Sequence, residues 1–232
     1  MPEIKIIKES RKTIAITVLD DKTVLVKAPR YAGQKFIDDF IKSKEKWLAK
    51  NLKEISAFAR PHKRQFENGE MFLFLGSSYP LQIERAGAKG LAFNGEKFII
   101  ALSRIKNAKT LFNNFYKLQT QRILDERLPY FIGLLNNANG FFSFFLDVKY
   151  KNVKVVNSYN QLGACTKNGD LRFSFRLSIM PPEIIDYVIA HEIVHLKHFN
   201  HSPKFWQELE KVLPNYKQAK EYLRKNHALM LF

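Results

Sequence analysis

The run Ile-Ile-Asp-Tyr-Val-Ile-Ala-His-Glu-Ile-Val-His-Leu at 184–196 constrains this chain more than any other segment. Ile184, Ile185, Val188, Ile189, Ala190, Ile193, Val194 and Leu196 leave almost no polar face at helical period, which predicts a helix buried all round. Pro181 and Pro182 precede it, as suits a first turn whose N–H groups have no helical partner. Yet this helix carries His191, Glu192 and His195 besides Asp186 and the weakly acidic Tyr187. Burying a carboxylate and two imidazoles is costly without partners, and a divalent cation supplies them. His191 and His195 stand at i and i+4, about 6 Å apart along the axis, so both rings can grip one ion. Glu192, one position round, is placed to reach a water on that ion.

Catalytic zinc takes three protein ligands and leaves one position open. Cys165 is the only cysteine, which excludes an intrachain disulfide and a four-cysteine cage. The third ligand is expected at His201. Asn200 can adopt left-handed geometry and end the helix, while Ser202 and Pro203 suit the cap and first position of the next one. His201 then lies in a tight turn that can bend back toward the metal, whereas its rival His198 sits in the last turn of the same helix. Glu208 and Glu210 share a helix with inward-facing Phe205, Leu209 and Val212 and are expected in solvent. The residues thus predict Zn²⁺ on His191, His195 and His201, with Glu192 as the acid/base of a hydrolytic site.

The remaining pattern predicts an α+β fold. Residues 1–104 read as an antiparallel β-rich region with a helix, and residues 105–232 as a mainly helical metal-binding domain with a small β-hairpin or sheet. Ile4–Ile7 forms a strand, and Ile14, Ile16 and Val18 alternate into a turn at Asp20 and Asp21 before Val24 and Val26, with Pro29 ending the hairpin. An amphipathic helix is expected over 34–53, a loop over 60–65, and short antiparallel strands at 71–76, 79–84 and 97–102. A helix over 106–136 is expected to kink or divide at Pro129. A second hairpin pairs 153–156 with 171–177 through a turn at 167–170, and three helices complete the chain.

The 232 residues suffice for a sizeable core, and 20 phenylalanines predict an aromatic one. No apolar run approaches the roughly 20 residues of a membrane span, and the N-terminus lacks a secretory pattern, so a cytoplasmic protein with no membrane partner is expected. The net charge is +16 with a pI of 9.8, an attraction for polyanions, although Lys and Arg are scattered along the chain. Three readings of the site follow: a peptidase acting on peptide or protein; a metal-dependent nucleotide phosphohydrolase whose basic surface gathers the anion; and a nucleic-acid-binding protein with a structural zinc.

The run from Tyr187 to Trp206, Tyr-Val-Ile-Ala-His-Glu-Ile-Val-His-Leu-Lys-His-Phe-Asn-His-Ser-Pro-Lys-Phe-Trp, resembles the H-E-x-x-H-L-x-x-x-N-H-S-x-x-F-W signature of the YgjP-like family of zinc-metallopeptidase-type proteins, related to the SprT-like and WLM groups. The resemblance extends more loosely through Ala28-Pro29, Lys46-Trp47-Leu48 and Leu75-Gly76 before Tyr79. It implies a zincin-like C-terminal domain, His191, His195 and His201 as metal ligands, and Glu192 as the catalytic carboxylate. The chain departs from the family pattern where Leu162-Gly163-Ala164-Cys165 replaces Trp-Gly-Ser-Cys, and where Phe173-Ser174-Phe175-Arg176-Leu177 replaces an Asn-containing strand. Cys165 reads as a packed small residue. Tyr159, Arg176 and Tyr216 are alternative donors for an oxyanion.

Overall fold

The computed structural model describes residues 2–18, 23–49, 64–85, 90–137, 148–158 and 161–226. The chain divides into units spanning Met1–His62 and Lys63–Phe232. In the first, β1 (Glu3–Glu9), β2 (Ala15–Val18) and β3 (Thr23–Pro29) form a sheet of order β1-β3-β2, followed by α1 (Gln34–Ser43). Strand alternation sends Val24, Val26 and Ala28 inward, where they meet Ile37 and Leu48. The β2–β3 pair is the expected hairpin, its turn at Asp20 and Asp21 lying outside the described residues, whereas β1 joins β3 in parallel. The helix expected over 34–53 stops at Ser43, where Lys44 leaves helical geometry (φ −102°, ψ 7°), and helical turns resume over 45–49.

The second unit opens with β4 (Met71–Phe74), β5 (Ser77–Glu84), β6 (Leu91–Phe93) and β7 (Phe98–Ala101) in the order β4-β5-β7-β6. The strands were expected to be antiparallel throughout; β4–β5 and β6–β7 are, but β5 and β7 pair in parallel because β6 occupies the far edge. A 3₁₀ segment, Leu102–Asn107, leads into the long helix α2 (Ala108–Asn137), which continues past Pro129 without dividing. Phe72, Phe98, Phe112 and Tyr116 form an aromatic core between this sheet and α2, with the Phe72 and Phe112 rings stacked at 4.0 Å. The compact division falls after His62, so this sheet and α2 lie in one unit.

Further along α2, Leu124, Leu128, Phe131 and Leu135 enter a second core with α3 (Pro182–Val194), α4 (Pro203–Val212) and α5 (Tyr216–Lys225), the three expected helices. Arg127 on α2 grips Asp186 on α3 with both Nε (2.7 Å) and Nη2, a bidentate pairing that fixes the two helices in register. The third sheet departs from the expected hairpin. Here β8 (Asn152–Val156) lies parallel to β10 (Asp170–Ser174), and the turn at 166–169 joins β10 instead to an edge strand, β9 (Gly163–Cys165). Gly169 supplies the positive φ (+81°) that this turn requires. The strand expected to reach Leu177 ends at Ser174, whose Oγ accepts the Arg176 N–H and starts a 3₁₀ segment, Phe175–Ile179. No helix among the described residues is long and apolar enough to cross a membrane.

Candidate metal centre

Helix α3 delivers three polar side chains from an otherwise apolar surface: Ile189, Ala190, Ile193 and Val194 are fully buried, while His191, Glu192 and His195 turn toward β9 and the following loop. The helix ends at Val194, and His195 caps it in helical geometry (φ −64°, ψ −20°). The chain then folds back, with the Leu196 and Lys197 N–H groups bonding to Ile193 and Val194 carbonyls at 3.0 Å. Asn200 does not take the expected left-handed conformation; its Oδ1 accepts the Ser202 N–H at 3.3 Å and tightens the turn before Pro203 starts α4. That turn carries His201 to the two helix histidines.

The Nε2 atoms of the three rings form a near-equilateral triangle: 3.2 Å from His195 to His191, 3.2 Å from His195 to His201, and 3.0 Å from His201 to His191. Three mutual hydrogen bonds cannot account for it. Each Nε2 either donates or accepts, so one side of any triangle joins two donors or two acceptors. A cation between three lone pairs removes the conflict. Tetrahedral zinc with bonds of about 2.0–2.1 Å separates its ligand atoms by about 3.3 Å, close to the spacing found here.

The surroundings suit neutral, metal-facing rings. His195 Nδ1 lies 2.9 Å from the His198 carbonyl, which only accepts, so this nitrogen carries the proton and Nε2 keeps its lone pair. His198 thus enters the site through its backbone; its ring is not in the cluster. Burial pushes His191 down to about 3, helped by the neighbouring imidazoles and Lys220, and lowers His201 for the same reasons. Phe205, fully buried, lies beneath all three rings with centroid distances of 4.9, 4.6 and 4.9 Å to His191, His195 and His201. Trp206 stacks on His201 and donates its indole N–H to the His201 carbonyl at 3.1 Å.

Glu192 is 7% exposed, and burial raises its carboxyl to about 8, opposed by the hydrogen bond it accepts from the Cys165 N–H. Its partner surface is Gly163 on β9. A Cβ there would lie 2.6 Å from Glu192 Cγ and 2.8 Å from Oε1, so only glycine lets the strand approach this carboxyl group. A hollow of 320 Å³ opens over the triad between β9 and the His195–His201 turn, with the exposed Phe199 on its rim. A second hollow of 210 Å³ shares Gln161, Gly163, His191 and Glu192 with it and continues past Tyr187 to Leu162, Val188 and Leu223.

Other expected residues fall elsewhere. Arg176 is 2% exposed and holds Asn157 and Ser158 through Nη1, because the 3₁₀ turn at Phe175 swings it into the interior instead of the hollow. Tyr216 is buried and stacked on Trp206. Tyr159 lies outside the described residues. Glu208 is buried rather than solvated, paired with Lys197 at 2.6 Å and Lys211 at 3.3 Å, which ties the His195–His201 turn to α4. Cys165 lines the larger hollow half-buried, its thiol pushed up to about 11 by burial and by Glu192. Sequence reasoning overlooked Gly163, Phe199 and Tyr187; for Tyr187 the signal was its position one helical turn before His191.

A YgjP-like family profile, described as a metallopeptidase domain, matches residues 12–226. No curated protein sequence gives a significant match. Among solved structures, the metallopeptidase zymogen of Pyrococcus abyssi abylysin aligns at 21% identity over 43% of this chain and 94% of its own, with a TM-score of 0.33.

Proposed function

The chain belongs to the YgjP-like metallopeptidase family, and on that premise we propose that it is a zinc-dependent peptidase in which His191, His195 and His201 hold the ion and Glu192 moves the proton. The Nε2 triangle carries this reading, with Glu192 beside it and a hollow above it. Bound zinc would supply polarisation of a peptide carbonyl and acidification of a water. Glu192, whose carboxyl burial raises to about 8, would be held as a carboxylate by a dication on the three histidines. It then accepts a proton from the attacking water while the water oxygen bonds to the carbonyl carbon. The same proton passes to the leaving nitrogen as the C–N bond breaks, and Glu192 returns to its starting state. The Cys165 N–H keeps the carboxylate oriented through both transfers.

The open edge of β9 gives a substrate its direction. Leu162 O and Thr166 N–H bond toward β10, so the alternation of an antiparallel ladder turns the backbone groups of Gly163 and Cys165 the other way, toward the hollow. Apart from the Cys165 N–H held by Glu192, these groups are available to an extended peptide adding as a further strand. The described residues lining both hollows include no Lys or Arg, which favours a neutral peptide over a phosphoanhydride. Incubation of the zinc-loaded chain with an unfolded protein should release fragments, and chelation should stop it. Phosphate release from nucleoside triphosphates without any peptide cleavage would overturn the proposal.

A further inference from the structure

Resting on the peptidase reading, we propose that Tyr187 is a catalytic hydrogen-bond donor, its hydroxyl stabilising the scissile carbonyl oxygen as that atom gains negative charge. Tyr187 sits on α3 one turn before His191, with the two rings 5.7 Å apart and inclined at 56°. The residue is 6% exposed, but its hydroxyl is not one of the buried unpaired polar atoms among the described residues, and a hydroxyl with no protein partner there must reach the solvent-filled hollow. Tyr187 borders the 210 Å³ hollow, whose wall also includes His191, Glu192 and Gly163. Apart from Gln161, the rest of the wall is Leu162, Val188 and Leu223, so nothing else there competes as a charged donor.

The position follows from how the two hollows join. Both are lined by Gln161, Gly163, His191 and Glu192, so a carbonyl held over the triad lies at their junction, with Tyr187 on one side and the histidine cluster on the other. Of the donors suggested by sequence, Arg176 holds Asn157 and Ser158, Tyr216 is stacked on Trp206, and neither lines the two hollows. The tyrosine keeps its proton throughout. It shares a hydrogen bond that strengthens as the oxygen becomes anionic and relaxes when the C–N bond breaks, in an apolar setting where such a bond has its largest effect.

The test uses the full zinc-loaded chain and Tyr187→Phe, which keeps the ring and its packing. Steady-state hydrolysis of a peptide, zinc content, thermal stability and binding of a phosphinic peptide that mimics the tetrahedral species are measured together. The proposal expects kcat to fall about 10²–10³-fold with KM little changed, phosphinic-peptide affinity to fall by a similar factor, and zinc content and Tm to stay as in the parent. A purely structural tyrosine would leave kcat and analogue binding untouched. Undiminished kcat in Tyr187→Phe, with an active parent, overturns this inference alone. Absence of hydrolysis by the zinc-loaded parent overturns the peptidase reading and this inference with it.

Discussion

Gly163→Ala is the smallest change that should separate metal binding from catalysis. The added Cβ would lie 2.6 Å from Glu192 Cγ, 2.8 Å from Oε1 and 3.0 Å from Cδ, where unstrained carbon contacts need about 3.5–4.0 Å. Something must therefore move by about 1 Å. Glu192 is 7% exposed on a helix whose neighbours Ile189, Ile193 and Val194 are fully buried, so its backbone cannot retreat. Strand β9 is held to β10 by Ser174 N–H to Leu162 O and Thr166 N–H to Asp170 O, both 2.9 Å, so it resists as well. The side chain yields, carrying the carboxyl group off its position. A misplacement of about 1 Å costs about 10²-fold in rate, or about 2.7 kcal/mol of barrier at 1.36 kcal/mol per tenfold. Overpacking adds a loss of about 1–3 kcal/mol in stability. The three atoms nearest the new methyl all belong to Glu192 and none to the triad, so zinc content should be unchanged. The assay is peptide hydrolysis with zinc content and Tm on the same preparation. Gly133→Ala, where a Cβ meets open space on α2, serves as a control expected to stabilise by about 0.5–1 kcal/mol. Parental kcat and Tm in Gly163→Ala would refute the steric argument.

Two further outcomes follow. His198→Ala should retain the metal and His201→Ala should lose it, because His198 acts through its carbonyl on His195 Nδ1 and His201 through its ring; metal analysis of both variants distinguishes the roles. In the metal-free protein, Tm should fall between about pH 6.5 and 8. Over that window folded Glu192 keeps a proton that the unfolded chain, with an ordinary value of 4.5, has released, so stability decreases as pH rises. Below about 6.5 the depressed His191 and His201 act with the opposite sign, since there the unfolded chain binds protons that the folded rings refuse. Glu192→Gln should abolish the fall above 6.5, as followed by thermal unfolding across pH with chelator present.

What the sequence reveals of this protein depends on distance along the chain. The clustering of the three histidines is legible because His191 and His195 are set by helical period and His201 by one tight turn, all within a single local run. Even there Asn200 reaches the turn by a side-chain hydrogen bond instead of left-handed geometry, since either route closes the loop. The sheets are less legible. Alternation in Val24, Val26 and Ala28 marks a buried face but carries no information on whether a neighbour runs parallel, as β1 does, or antiparallel, as β2 does. The contact of Gly163 with Glu192 is not visible at all, because it arises only when β9, an unforeseen third strand, pairs with β10 on the side opposite β8. Arg176 misled for a related reason: the switch from strand to 3₁₀ after Ser174 changes the direction of its side chain, turning an expected donor into an interior anchor.

The central claim is that three histidines hold the ion while Glu192 performs the proton transfer, and peptide hydrolysis by Glu192→Gln with zinc quantified in the same sample tests it most directly. Glutamine keeps the shape of the side chain and leaves the Nε2 triangle intact, so the account predicts the parental zinc content with hydrolysis reduced at least about 10²–10⁴-fold, the range for a positioned acid/base. Parental hydrolysis by Glu192→Gln at full zinc content would contradict it.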